Sequence, residues 1–280
     1  MSSPVDDGVR VLLDSLAQLD GLVVAFSGGT DSAFLLAAAV RALGAERIVA
    51  ATAVSPSLPV TELAAAGGFA QQLGVRHETP ATDEMSREGY RANAGNRCYF
   101  CKAELLDTLR PLADHLGIEH IATGTNADDA LAGFRPGIRA AAERAALTPL
   151  LDAGLSKAAI RAVSREWGLR TWDKPAAACL SSRVAYGIAI SPARLARVEH
   201  AESLARAALQ ADGIDIVNLR VRDLGDEARI EVDLAAVRAA AASSVTAAVL
   251  SAGFVTAYDD PAGFRSGSMN ELLPVPQDWR

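Results

Sequence analysis

The chain is poor in cysteine, aromatic side chains and clustered positive charge, and each shortage excludes something. Three cysteines in 280 residues are too few and odd in number for a disulfide framework. They fit metal binding or catalysis better. Lysine and arginine total 27 against 34 aspartate and glutamate, a formal net charge of −7, with no Lys/Arg tract. Only three Trp, four Tyr and seven Phe are present, so neither the phosphate-neutralising patch nor the stacking surface of a long nucleic-acid partner is evident. A small molecule is the expected partner. The N-terminal MSSPVDDGVR has neither the basic nor the apolar region of a secretory signal, which favours the cytoplasm. The longest uncharged run, 239–258, is mostly Ala, Ser and Thr broken by Gly253, and reads as a helix followed by a strand, not a membrane span.

What is present alternates. A helix over 8–19 precedes a short apolar strand over 21–26, a helix over 31–43 and a strand over 48–54. A helix over 61–73, a strand over 75–79, a helix over 99–116 and a strand over 119–123 continue the pattern. Such alternation predicts an α/β fold with a parallel sheet covered on both faces. A further helix over 156–167 takes Ser156 as its N-cap. The stretch 174–190 has no sustained period and is expected to be a long ordered loop. Beyond it, a helix over 192–210, strands at 217–222 and 228–232, a helix over 234–251 and a strand over 254–258 predict a small α+β domain with an antiparallel sheet. The expected division is therefore 1–172, a cysteine-bearing loop at 173–191, and 192–280.

Directly after the first strand stands Ser27-Gly28-Gly29-Thr30-Asp31-Ser32, and directly after that a helix. Two glycines let backbone amides approach a phosphate, and the helix start adds unpaired N–H groups and a positive dipole end. Ser27, Thr30 and Ser32 add hydroxyls. A Walker loop would require Gly-Lys-Ser/Thr; here Asp31 brings a carboxylate among phosphates, which makes sense with Mg²⁺ on the pyrophosphate. The bland alternative is a glycine turn with an ordinary first-turn acid. Gly124-Thr125-Asn126-Ala127-Asp128-Asp129 follows another strand on the edge where ligands bind in such sheets. Gly124 and Asn126 join the phosphate-site candidates and Asp128 is a possible second metal carboxylate; an Asx turn capping the next helix is the competing reading.

Cys98 and Cys101 are three apart at the start of a predicted helix, so both thiols face one side. Structural zinc would need a fourth ligand from His77, His115, His120 or His200, none at a characteristic spacing. A redox dithiol leaves Cys179 unused, whereas an iron–sulfur cluster on three thiolates uses all three. Around Cys179, Lys174, Arg183, Ser181 and Ser182 favour the thiolate over a buried structural thiol. Cys179, Asp31 and Lys102, next to the pair, are the catalytic candidates. Arg220 and Arg222 alternate on a predicted strand and so project from one face, as a phosphate or carboxylate clamp or as a solvated face paired to Asp223, Asp226 or Glu231. With Ser182 and Arg183 they form the candidate substrate-phosphate set. Glu202, on the preceding helix, is a possible hydrogen-bond acceptor or metal ligand.

SGGTDS resembles the loop of the PP-loop ATP pyrophosphatases, which cut ATP between its α and β phosphates. The ordered set SGGTDS at 27–32, RCYFCK at 97–102, GTNADD at 124–129, FRPGIRA at 134–140, WDKPAAACLSSRVAYG at 172–187 and RVR at 220–222 resembles, over nearly the whole chain, the LarE family. That resemblance implies a PP-loop α/β domain with a smaller C-terminal domain, and ATP-dependent adenylylation and thiolation of the carboxylates of pyridinium-3,5-biscarboxylic acid mononucleotide for a nickel-pincer cofactor. It also implies ATP, Mg²⁺ and a 4Fe-4S cluster on Cys98, Cys101 and Cys179 as cofactors, phosphate binding by Arg220 and Arg222, a homo-oligomer, and hand-over to other proteins of that synthesis, with no nucleic-acid or membrane partner. Cys179 matches the family's sulfur-transferring cysteine. Single-turnover sacrifice of Cys179, a PP-loop tRNA thiolase, and a nucleotide-binding module with structural zinc are the competing readings.

Overall fold

The computed structural model describes residues 4–131, 135–175, 178–265 and 267–269. Phe134 and residues 176–177, quoted in the motifs above, lie outside the described residues. The chain divides into two compact units, one from Met1–Glu84 with Cys98–Ala177, the other from Met85–Arg97 with Ala178–Arg280. Segment 85–97 thus joins the second unit although its sequence neighbours on both sides belong to the first.

In chain order, the first unit starts with α1 (Pro4–Leu16), β1 (Leu22–Ala25), α2 (Thr30–Leu43), β2 (Ile48–Ala51), α3 (Val60–Gln72) and β3 (Arg76–Glu78). After the short α4 (Glu88–Arg91) of the second unit come α5 (Arg97–His115), β4 (His120–Thr123), α6 (Ala127–Leu131), α7 (Pro136–Ala142), α8 (Pro149–Asp152) and α9 (Lys157–Glu166). The four strands form a parallel sheet ordered β3-β2-β1-β4. All four residues of β1 are buried, as a central strand covered on both faces requires. One face carries a core of Leu22, Val24 and Phe26 with α1, α2 and α9; the other sets Val23 and Ala25 against Leu106 and Leu109 of α5. The alanines of α2 are almost all buried, letting that helix lie close to the sheet. Ser156 caps α9, its side chain accepting from the Ala159 N–H, as expected from sequence.

The second unit continues with α10 (Pro192–Ala211), β5 (Leu219–Asp223), β6 (Glu227–Val232), α11 (Val237–Ala241), α12 (Val245–Ser251) and β7 (Thr256–Asp259). Its sheet, ordered β5-β6-β7, corrects the expected antiparallel arrangement: β5 and β6 are antiparallel, but β6 and β7 are parallel. The intervening helices carry the chain back to the start of β6, so β7 runs the same way. The single helix expected over 234–251 is also broken. Ser243 Oγ donates to the Ala240 carbonyl and accepts from the Val245 N–H, while Asp212 accepts from both the N–H and the hydroxyl of Ser244. These side chains replace helical hydrogen bonds at the break. The two helical pieces bend by 79°, and among the described residues no single helix is long and apolar enough to cross a membrane. The stretch 178–190 has only a 3₁₀ turn at Leu180–Arg183 and a single parallel bridge from Val184 to Asp223 as regular structure.

Candidate active site

At the C-terminal edge of the first unit's sheet, β1 runs into the loop 27–32. Gly28 takes φ +72°, and a Cβ there would come 3.3 Å from the Ala66 Cβ of α3. Gly29 is the N-cap of α2 with no side-chain cap, which leaves the helix start open to a ligand. Ser27 Oγ and Ser32 Oγ are 3.1 Å apart, the Gly29 N–H donates to Ser27 Oγ, and Thr30 Oγ1 donates to the Thr171 carbonyl at 2.8 Å. Thr30 is therefore turned into the fold rather than toward a phosphate.

Gly124, after β4, touches this loop. A Cβ at 124 would stand 2.9 Å from the Ser32 nitrogen and 3.1 Å from the Asp31 carbonyl carbon. Both are backbone atoms, so one of the two segments must move. Gly124→Ala should cost about 1–3 kcal/mol and displace the start of α2. Thermal unfolding with and without ATP-Mg²⁺ checks this: the variant should lose ligand stabilisation as well as stability.

Asn126 is fully buried, and its Nδ2 donates to Asp31 Oδ2 at 3.1 Å while its Oδ1 accepts from the Asp129 N–H. The Asx-turn reading of this segment holds, since Asn126 caps α6; in addition Asn126 fixes Asp31. Burial pushes the Asp31 carboxyl above its ordinary range, with Lys157 opposing, Asp129 adding, and the Asn126 hydrogen bond opposing. Asp128, the expected second metal carboxylate, instead accepts from the Lys157 N–H at 2.8 Å at the start of α9. Its neighbour Asp129 faces the site, within electrostatic reach of Asp31 and Lys102 and bonded to Lys157 Nζ at 3.0 Å. Sequence reasoning missed Asp129 as the facing carboxylate and missed Lys157 altogether. The Asp-Asp doublet marked the place, but which member turns inward depends on a lysine 28 residues away. Asp31 and Asp129 fit the one or two carboxylates that hold Mg²⁺ beside substrate phosphates.

Lys174, expected near Cys179, is tied to the phosphate loop: its Nζ donates to the Gly28 carbonyl at 2.9 Å and pairs with Glu62 at 2.7 Å. On α5, burial lowers the Lys102 ammonium's pKa, opposed by Cys101, Cys98 and Asp129. The same electrostatic neighbourhood thus holds two thiols, a desolvated cation and the carboxylate that faces Asp31. All three cysteines are free thiols, Cys98 exposed and the others half-buried. Among the described residues no three His, Cys, Asp or Glu side chains are grouped around one metal position; Cys98 and Cys101 belong to the first unit and Cys179 to the second.

In the second unit Cys179 caps the 3₁₀ turn, and its carbonyl accepts from Ser182 Oγ at 2.7 Å and Arg183 Nη1 at 2.9 Å. Arg183 also donates to the Ala178 carbonyl and pairs with Glu202 at 2.9 Å. Glu202 accepts in addition from the Val221 N–H, so it serves as a hydrogen-bond acceptor, with both oxygens engaged, rather than as an open metal ligand. Arg222 is buried; its Nε and Nη2 both meet Glu231 Oε2, and Nη2 also donates to Ser268 Oγ. Of the candidate phosphate set, then, Ser182, Arg183 and Arg222 are held by the fold. Arg220 lies over the Phe264 ring, and its pKa is lowered to about 10 by burial and by the like charges of Arg183, Arg222 and Arg206, against Glu202. Several guanidinium groups crowded in a poorly solvated place relax when an anion binds.

An open parallel sheet with SGGTDS at the end of its central strand is the PP-loop α/β architecture. The chain belongs to the LarE family: it is 31% identical over 268 residues to pyridinium-3,5-bisthiocarboxylic acid mononucleotide synthase of Lactiplantibacillus plantarum, covering 95% of each chain. It is also 41% identical over 260 residues to an uncharacterized protein of Synechocystis sp., covering 91% of this chain and 94% of that one. No family model matches the chain.

Proposed function

We propose that this protein is an ATP-dependent sulfurtransferase of the cytoplasm that converts the carboxylates of a pyridinium mononucleotide to thiocarboxylates. Its similarity to a bisthiocarboxylic acid mononucleotide synthase supports thiocarboxylate synthesis. The observation that carries the ATP-dependent step is the uncapped start of α2 behind Gly28 and Gly29, with the half-buried Asp31 carboxylate fixed by Asn126. A carboxylate is a poor electrophile until it is made a mixed anhydride with AMP, and amides at a helix start with Mg²⁺ on Asp31 suit the departing pyrophosphate. Arg220, crowded by like charge, is the group best suited to hold the substrate's phosphate.

Cys98, Cys101 and Cys179 are the soft ligands a 4Fe-4S cluster needs, and such a cluster, when bound, supplies an exchangeable sulfur. Cys179 is the candidate sulfur-handling residue, and sacrifice of its own sulfur is the second reading. Assembly as a homo-oligomer and hand-over of product within nickel-pincer cofactor synthesis complete the proposal. ATP–pyrophosphate exchange tests the activation step: it should be stimulated by a pyridinium dicarboxylate mononucleotide and not by bulk tRNA. Stimulation by tRNA alone would overturn the reading in favour of a tRNA thiolase.

A further inference from the structure

The loop that bears Cys179 is anchored by a buried polar network on segment 85–97. Asn93 is fully buried with φ +51°, a left-handed conformation that a non-glycine residue adopts only when its surroundings hold it there. Its Nδ2 points at the carbonyls of Val184, Ala185 and Ile188 at 3.3, 2.8 and 3.0 Å. Its Oδ1 accepts from Arg97 Nη1, which also donates to the Ser181 carbonyl at 2.8 Å. Tyr90, itself buried, places its hydroxyl 2.5 Å from Ser181 Oγ. The Gly187 N–H donates to the Asn93 carbonyl and the Ile190 N–H to that of Arg91. The Arg97 guanidinium lies 5.6 Å from the centre of the Tyr186 ring.

Apart from the bond between Arg97 and Asn93, each of these bonds ends on the backbone or side chain of residues 181–190. A surface loop of that length needs no buried arginine to close it, and burying a guanidinium is costly unless its donors are satisfied. Arg97 is also the residue immediately before Cys98, and Ser181 is two residues after Cys179.

We propose that Arg97 and Asn93 are positioning residues for Cys179: acting through Ser181 and the 184–188 carbonyls, they hold the cysteine turn in one conformation, so that the thiol is presented for sulfur transfer instead of sampling many orientations. Misplacing a reacting group by about 1 Å costs roughly 10²-fold in rate. The bearing on sulfur transfer rests on the function proposed above, whereas the positioning itself is read without ATP or substrate.

The test uses the full chain with Cys98→Ser and Cys101→Ser, which leaves Cys179 as the sole thiol. Iodoacetamide alkylation of Cys179 and amide exchange over 178–190 are compared with and without Arg97→Met, Arg97→Lys or Asn93→Gly. Glycine accepts the left-handed backbone, so Asn93→Gly removes the side-chain bonds without adding strain. Arg97→Met and Asn93→Gly should each change the alkylation rate about tenfold or more and speed exchange in the loop, with exchange in β5 and β6 unaltered. Arg97→Lys, which keeps the charge but loses the fork, should fall between. In the natural three-cysteine background, Arg97→Met should lower kcat about 10²-fold with an unchanged KM for ATP. Alkylation and loop exchange within twofold of the parent in either folded variant overturns the proposal; if Arg97→Met does not fold, Asn93→Gly decides. Absence of thiocarboxylate from the natural protein would remove the proposed function and leave the alkylation result standing.

Discussion

Cys179→Ala should release pyrophosphate from ATP in the presence of substrate yet form no thiocarboxylate, a loss of about 10³-fold or more. The fold uses the backbone of this residue and not its sulfur. The Cys179 carbonyl accepts from Ser182 and Arg183, the backbone conformation is extended, and the thiol makes no disulfide. Alanine keeps all of that, so its effect on stability should stay within about 0.5 kcal/mol, the usual range for a partly exposed site. Mass spectrometry of the product, run beside pyrophosphate release, reads the split. Equal loss of both would place Cys179 in the activation step instead.

Asp31→Asn should abolish activation while making the protein more stable. The carboxylate is half-buried, bonded by the Asn126 amide and close to Asp129, and its pKa is raised above its ordinary value of 3.8. The sign follows from linkage. Below pH 3.8 the carboxyl is protonated in both folded and unfolded chains, and the substitution gains nothing. As pH rises through the raised folded pKa, the native chain must hold a charge that the unfolded chain holds more easily, and stability falls. Asparagine avoids that cost and still accepts from Asn126. At neutral pH its melting temperature should exceed that of the natural protein, by about 2–4 °C for each kcal/mol relieved, and the gain should vanish in acid. ATP–pyrophosphate exchange should drop by about 10²-fold or more, the effect of removing a preorganised electrostatic group. A variant both less stable and inactive would show that Asp31 is held for the fold and not for the ligand.

Locally encoded features were legible in the sequence. The glycine loop after a buried apolar strand, the Ser156 cap and the parallel order of the first sheet depend on neighbours in the chain. So does the resemblance to the LarE family, which the similarity over 95% of the chain shows to be membership. Features that depend on distant partners were not legible. Asp128 and Asp129 are adjacent, and only the approach of α9 sends the first to a helix start and the second to the Lys157 ammonium. Lys174 and Arg183 flank Cys179 in sequence, yet Lys174 binds the phosphate loop, and Arg183, while it holds the Cys179 carbonyl, pairs with Glu202 on α10. The break between α11 and α12 depends on Asp212, which lies on the far side of two strands in sequence. The work of segment 85–97 appears only once Asn93 and Arg97 meet the cysteine loop.

The most direct measurement is a turnover count. Anaerobically reconstituted protein is supplied with ATP, Mg²⁺, the pyridinium dicarboxylate mononucleotide and sulfide, and thiocarboxylate is measured beside the intact mass of the chain. More sulfur in product than there are protein chains is expected, with Cys179 unchanged. Product limited to one sulfur per chain, with the Cys179 side chain reduced to dehydroalanine, would contradict that expectation.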